Sequence, residues 1–399
     1  MTTGDNPGDD YPPRLSVAEK ASLCCTLLAS ATSTLLVHGT KGIFRGRKGA
    51  KHYSVHLAHA LVRTLNDTLT TRQYQYLLPP TYQTYEAYAK RKKFQPETVR
   101  LPRYGGMGHW LGSKTAKNVL FSAKGGGFAL SANDLYFDFC WDLIQSLHAA
   151  GHDLSVFFVS YTLTPHAIYP TQLKQCVEAL RYILREAGFS PENVFLGGDS
   201  AGANVALAVL LHVSHHPHPE IIADEADDSK DQDARLDLSL SASGDNDSYY
   251  LGGIFCLGPW VDFNFDRPSE KTNRFKDCLS KKSEQAWARE YVNGRNPDGW
   301  NEPAVAPAEW WKGVRVREFL ILAGSDEILL SGIGEFAEKV QSMFPRLTFF
   351  IGQDEGHVSP IVDRGLFGKK QRARIQTAQV LKTWFAERLL SRRSAEAGS

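Results

Sequence analysis

Ser200 stands in a stretch reading VFLGGDSAGANVALAVLL, residues 194–211. Apolar and β-branched residues Val194, Phe195 and Leu196 predict the end of a buried strand, and the Ala/Leu/Val-rich run 203–211 has helical spacing. Between them, Gly197, Gly198 and Gly202 bracket a single hydroxyl. Strand, sharp turn and helix form the setting of a nucleophile elbow, in which the chain doubles back without Cβ clashes and holds a serine up for attack. A serine is a weak nucleophile at its own pKa, so it needs a base, an acid that orients the base, and donors for a tetrahedral oxyanion.

Each partner has a candidate. After the apolar run 118–122 comes Lys124-Gly125-Gly126-Gly127-Phe128, where three glycines leave backbone N–H groups unshielded. The apolar run 319–323 ends in Gly324-Ser325-Asp326-Glu327-Ile328-Leu329, and a carboxylate just past a strand's C-terminal end lies on the face where open α/β sheets build their sites. Asp326 fits the order Ser…Asp…His, with Glu327 next door and Asp262 after the preceding strand as rivals. His357, after the last apolar run 347–351, is the one histidine downstream of Asp326.

The elements that must position these groups alternate strand and helix. Runs 118–122, 154–160, 194–196, 253–261, 319–323 and 347–351 read as strands, with helical patterns at 134–150, 172–187, 332–343 and 370–390. This predicts a mostly parallel sheet covered on both faces, starting near 97–101 and 109–111. Ahead of it, residues 1–13 are polar and read as unstructured, and Val55, Ala58, Val62, Leu65 and Leu69 share one helical face. The expected layout is an N-terminal helical extension over 1–96 and one catalytic domain over 97–399. Within that domain, 213–250 reads as an acidic, Ser/Asp-rich, solvated and disordered insertion. His212, His215, His216 and His218 at its start offer a metal site no clear scaffold.

The motifs KGGGF, YTLTP with Tyr169-Pro170 beyond it, and GDSAGAN resemble the HGGG, YRLAP and GDSAG signatures of the hormone-sensitive-lipase-like branch of α/β-hydrolases. LLPPT and GHWLG in the extension resemble fungal members of that branch. The resemblance implies an esterase on an eight-stranded sheet with a cap over 263–314, whose Trp287, Trp300, Trp310 and Trp311 either wall a pocket or pack the cap. By position it implies a triad of Ser200, His357 and Asp326, the last in an Asp-x-Leu motif with Ile328 standing for the leucine. It also implies oxyanion donors from Gly126, Gly127 and Ala201, with Gly125 as the turn residue. Lys124 departs from the family, which has histidine there.

The expected reaction is cleavage of a small or lipid-like carboxylic ester, a fungal secondary metabolite or steryl ester among the candidates, with no cofactor and no metal. The alternatives are a ligand-binding protein on a retired hydrolase scaffold and an acyltransferase or lactonase using the same triad. A net charge of +1 over 399 residues leaves no electrostatic footprint for nucleic acid. Six cysteines without a C-x-x-C pair predict reduced thiols in a cytoplasmic protein. Residues 15–51 join an uncharged stretch, 21–37, to Lys41, Arg45, Arg47, Lys48 and Lys51. That pairing suits either a membrane-surface contact or a helix packed on the catalytic domain as part of a lid.

Overall fold

The computed structural model describes residues 12–227 and 250–397. Eight strands form one sheet: β1 (Thr98–Arg100), β2 (Met107–Leu111), β3 (Asn118–Ala123), β4 (Leu154–Ser160), β5 (Val194–Asp199), β6 (Gly253–Leu257), β7 (Phe319–Gly324) and β8 (Leu347–Gly352). Their spatial order is β1-β2-β4-β3-β5-β6-β7-β8, antiparallel at β1–β2 and β2–β4 and parallel from β4 to β8. β3, β4, β5, β6 and β7 are buried along their whole length, which explains why they read as continuous apolar runs and not as alternating ones.

Helices cover both faces. α1 (Val17–Ser33), α2 (Tyr53–Thr68), α3 (Thr71–Leu77) and α4 (Thr81–Lys92) build the N-terminal extension. Next come α5 (Asp134–Ala149), α6 (Thr171–Arg181), α7 (Ala201–Ser214) and α8 (Pro219–Asp227). The cap region holds α9 (Pro268–Asn273) and α10 (Lys281–Val292), followed by α11 (Leu330–Met343), α12 (Ser359–Val362) and the terminal helix Gln376–Ala397. Two large apolar clusters lie on opposite faces of the sheet: Phe121 and Phe157 belong to one, Leu120 and Phe158 to the other. Neighbours along a strand thus feed different layers.

Two expectations change. The insertion expected over 213–250 is structured at its start, because α7 runs to Ser214 and α8 spans Pro219–Asp227; its remainder, 228–249, lies outside the described residues, as do residues 1–11. In α2 the fully buried positions are Val55, His56, His59, Ala60 and Arg63, while Val62 and Leu65 on the expected apolar face are only half-buried. His59 and Arg63 bury because they have partners: His59 Nδ1 meets the Lys276 carbonyl at 2.8 Å, His59 Nε2 meets Asp363 Oδ1 at 2.6 Å, and Arg63 donates to the Asp277 carbonyl. The extension is thereby tied to the cap and to the chain just after His357.

α1 runs on through a wider turn, Thr34–Gly39, and leaves Leu28, Leu35, Leu36, Val37, Ile43 and Phe44 exposed. The segment Val17–Phe44 is long and apolar enough to cross a membrane by length and composition.

Candidate active site

Ser200 sits between β5 and α7 with φ +51° and ψ −121°, a backbone conformation an L-residue adopts only under constraint and at a cost of about 1–3 kcal/mol. The constraint is visible in its main chain. Ser200 N–H donates to the Leu257 carbonyl, and its own carbonyl accepts from Asn204 and Trp260. The turn has no room for larger neighbours: a Cβ on Gly202 would lie 2.2 Å from the Ala123 carbonyl oxygen. Here the GGDSAG spelling is dictated by the close passage of β3 under the first turn of α7. Ala201 is the first residue of that helix, so its N–H has no intrahelical acceptor.

Gly126 and Gly127 have φ of +82° and +58° and line the same cavity as Ser200. Asp199 anchors the loop from below. Its Oδ1 accepts the Gly125 N–H at 3.0 Å and its Oδ2 accepts the Tyr136 hydroxyl, and burial pushes its pKa up to about 6. Lys124, where the resembling family has histidine, is buried. Its Nζ donates to the Leu130 carbonyl at 2.9 Å across the loop and stands 4.2 Å over the Tyr161 ring. Burial pulls its pKa down to about 7 against the opposing pull of Asp199.

His357 lies in the turn between β8 and α12 and lines the cavity with Ser200. The carboxylate beside it is not the expected one. Glu327 Oε1 is 3.7 Å from His357 Nδ1 and accepts the Val358 N–H at 3.1 Å; Glu327 is fully buried. Asp326 instead pairs with Lys276 Nζ at 2.8 Å. The tight turn after β7 explains the switch. Asp326 N–H is tied to the Glu355 carbonyl and Glu327 N–H returns to Gly324, so the two side chains leave on different sides and the longer one passes under the imidazole. Asp262, the other rival, pairs with Arg267. A signal was present in the sequence: Glu327-Ile328-Leu329 keeps a leucine two places after its carboxylate, whereas Asp326 does not.

Burial alone would lower the His357 pKa, but Glu327, Asp277 and Asp199 outweigh it and hold the imidazole above its ordinary value. Burial raises the Glu327 carboxyl, opposed by His357. Asp277 has no motif in the sequence. Its Oδ1 accepts the backbone N–H of His357 at 3.2 Å and its Oδ2 that of Ile328 at 2.7 Å, so one cap carboxylate fixes both loops. Asn273 Nδ2 adds bonds to the Ser325 and Glu327 carbonyls. Gly258, just past β6, leaves the space: a Cβ there would stand 2.9 Å from Glu327 Oε1 and 3.2 Å from His357 Nδ1.

The cavity has a volume of about 260 Å³. Besides Ser200, His357 and the glycine loop, Trp260 and Trp287 wall it, and Val62, Asn66 and Leu78 bring the N-terminal extension into the lining. The other cap tryptophans go elsewhere: Trp300 and Trp310 pack against His218 and His216, and Trp311 against Phe336. His218 Nε2 meets the Tyr169 hydroxyl and His212 Nδ1 accepts the His218 N–H, so these histidines brace the cap. Among the described residues no three potential metal ligands come together. A nucleophile-bearing turn, an imidazole backed by a buried carboxylate, and a glycine loop around one small apolar cavity can carry out acyl transfer.

The molecule is an α/β protein whose strand-to-helix serine turn opens into a covered cleft at the C-terminal ends of the parallel strands. Residues 120–360 match the alpha/beta hydrolase fold family, and the chain belongs to it. It is 30% identical over 166 residues to arylacetamide deacetylase of Oryctolagus cuniculus, covering 40% of this chain and 41% of that protein. It is 25% identical over 230 residues to steryl acetyl hydrolase 1 of Saccharomyces cerevisiae, covering 54% and 46%. The chain thus spans less than half the length of either relative. A hormone-sensitive lipase from a metagenome library has the same fold, with a TM-score of 0.58 at 19% identity over 86% of this chain and 99% of that one.

Proposed function

We propose that the protein is a serine ester hydrolase of the hormone-sensitive-lipase-like branch. Ser200 attacks the ester carbonyl and His357 takes its proton, later returning it to the alcohol leaving group. Glu327 holds the imidazole tautomer and offsets the imidazolium charge. The N–H groups of Gly126, Gly127 and Ala201 receive the oxyanion, and loss of one such donor costs about 3 kcal/mol. Water then resolves the acyl-enzyme by the same route.

The observation that carries this reading is the meeting of Ser200, held at φ +51°, with His357 in one cavity, the imidazole backed by a buried carboxylate. Two relatives named for removing acetyl groups, together with the cavity's size, support a short acyl group on an apolar alcohol. The test is covalent labelling by a fluorophosphonate with hydrolysis of p-nitrophenyl butyrate. Both should occur in the intact protein and vanish in Ser200→Ala. A folded protein that neither labels nor turns over is a binding module on this scaffold.

A further inference from the structure

The cap helix α10 turns one face inward, and its buried polar residues are Ser283, which bonds back to the Ser280 carbonyl, and Glu284. Trp287, Ala288 and Tyr291 are buried along it; Trp287 walls the cavity and lies against Gly127, where a Cβ would stand 2.5 Å from the indole. Tyr291 stacks on Phe128 at 3.6 Å between ring centroids. Three residues before Trp287, on the same helical face, is Glu284. It is 4% exposed, lines the cavity with Ser200 and His357, and its Oε1 has no hydrogen-bond partner in the protein. A carboxyl so placed costs about 1–3 kcal/mol while unpaired, which a ligand group could relieve.

Its charged surroundings determine its form. The carboxylates that act on it are Asp277 from the cap, Asp262 from the segment after β6, Glu270 from α9 and Glu327 from the turn after β7; Arg267 is engaged with Asp262 and Glu335. Burial, reinforced by those carboxylates, holds Glu284 well above the usual carboxylate range, which favours the protonated form, able to donate as well as accept.

We propose that Glu284 is the specificity-determining residue of the cavity and selects esters whose apolar body carries a neutral hydroxyl or carbonyl oxygen. The inference rests on the hydrolase reading above and names its substrate class. One helical turn, about 5 Å, separates Glu284 from the residue covering the glycine loop, so the selected oxygen lies within a few bonds of the reacting carbonyl. Trp260 and Trp287 wall the cavity that Glu284 lines, and burial of the carboxyl makes an unmet group costly and a met one selective.

The test compares matched substrates on the full chain: p-nitrophenyl pentanoate against p-nitrophenyl 4-oxopentanoate for the acyl side, and cyclohexyl acetate against 4-hydroxycyclohexyl acetate for the alcohol side. A p-nitrophenyl ester bearing a trimethylammonium group is the charged control. The readout is the polar-to-plain ratio of kcat/KM, normalised to hydroxide-catalysed rates. On at least one pair Glu284→Leu should lower that ratio about tenfold, and Glu284→Gln, which keeps a neutral donor and acceptor, should stay within about threefold of the native ratio. Glu284→Met replaces the leucine variant if that one does not label with fluorophosphonate. A ratio unmoved by the apolar variants on both pairs overturns the proposal. So does a preference for the ammonium ester that Glu284→Gln removes, since that requires an ionised carboxylate. Turnover of the plain esters by the native protein separates these failures from failure of the hydrolase reading, with which the proposal would also fall.

Discussion

Glu327 Oε1 lies 3.7 Å from His357 Nδ1, while Asp326, its neighbour in the chain, is bound to Lys276 on the other side of the turn. Two adjacent carboxylates therefore have different consequences. Glu327→Gln should lower kcat on p-nitrophenyl butyrate by about 10³–10⁴-fold, the scale expected when a triad carboxylate becomes an amide and the imidazole tautomer is wrong. Asp326→Asn breaks a part-buried ion pair and should stay within about fivefold of native activity, with about 1–3 kcal/mol lost in urea unfolding. The reverse ranking would return the acid role to Asp326.

The pH profile follows from the same pair. His357 must be neutral to accept the serine proton, and its pKa is raised above 6.5 because Glu327, Asp277 and Asp199 outweigh its burial. kcat/KM should fall as pH drops, with a midpoint above 6.5 for the native protein. In Glu327→Gln the residual activity should titrate at a lower pH, since the largest opposing group is gone and burial remains. An unmoved midpoint would show that another group controls the limb.

Lys124 gives a signature in stability. Its folded pKa is lowered to about 7 by burial, whereas in the unfolded chain it is near 10.4. Between those values the unfolded state binds the extra proton, so this residue makes stability rise with pH, by at most about 1.4 kcal/mol per unit. Urea unfolding of the native protein and of Lys124→Met between pH 7 and 9 should show the native curve gaining on the variant. A constant difference would mean that the ammonium stays charged in the fold.

His59 links the N-terminal extension to the segment after His357 through Asp363. Burial lowers its pKa, but the Asp363 carboxylate prevails and the net shift is upward. The charged pair therefore stabilises fully below about pH 6.5 and fades as pH rises through the folded pKa. His59→Leu, which leaves Asp363 without its cation, should cost about 3 kcal/mol at pH 6 and less at pH 9, read from denaturant midpoints.

The exposed apolar side of Val17–Phe44, followed by Arg45, Arg47 and Lys48, predicts association with anionic lipid vesicles. Flotation should carry the full chain upward and should leave a chain lacking residues 1–51 at the bottom. Equal behaviour of the two would place this surface against protein or in water.

The sequence by itself determined the scaffold and where the two groups proposed to react stand in the chain. Buried parallel strands are apolar throughout, turns that pass close to backbone demand glycine, and a lone histidine after the last strand leaves no competitor, so β3 to β8, Ser200 and His357 could be read one stretch at a time. Only the tertiary structure decided between Asp326 and Glu327, because side-chain direction in a tight turn depends on what the backbone bonds to: here Gly324 and Glu355, from two different strand ends. Asp277, Asn273, His59 and Glu284 were silent for a related reason. Each is a polar residue of the cap or the extension whose spelling suits solvent, and each is buried by groups more than 40 residues away along the chain or by the cavity itself. Local pattern encodes which face of an element is apolar; which carboxylate meets which imidazole is set by long-range closure of the chain.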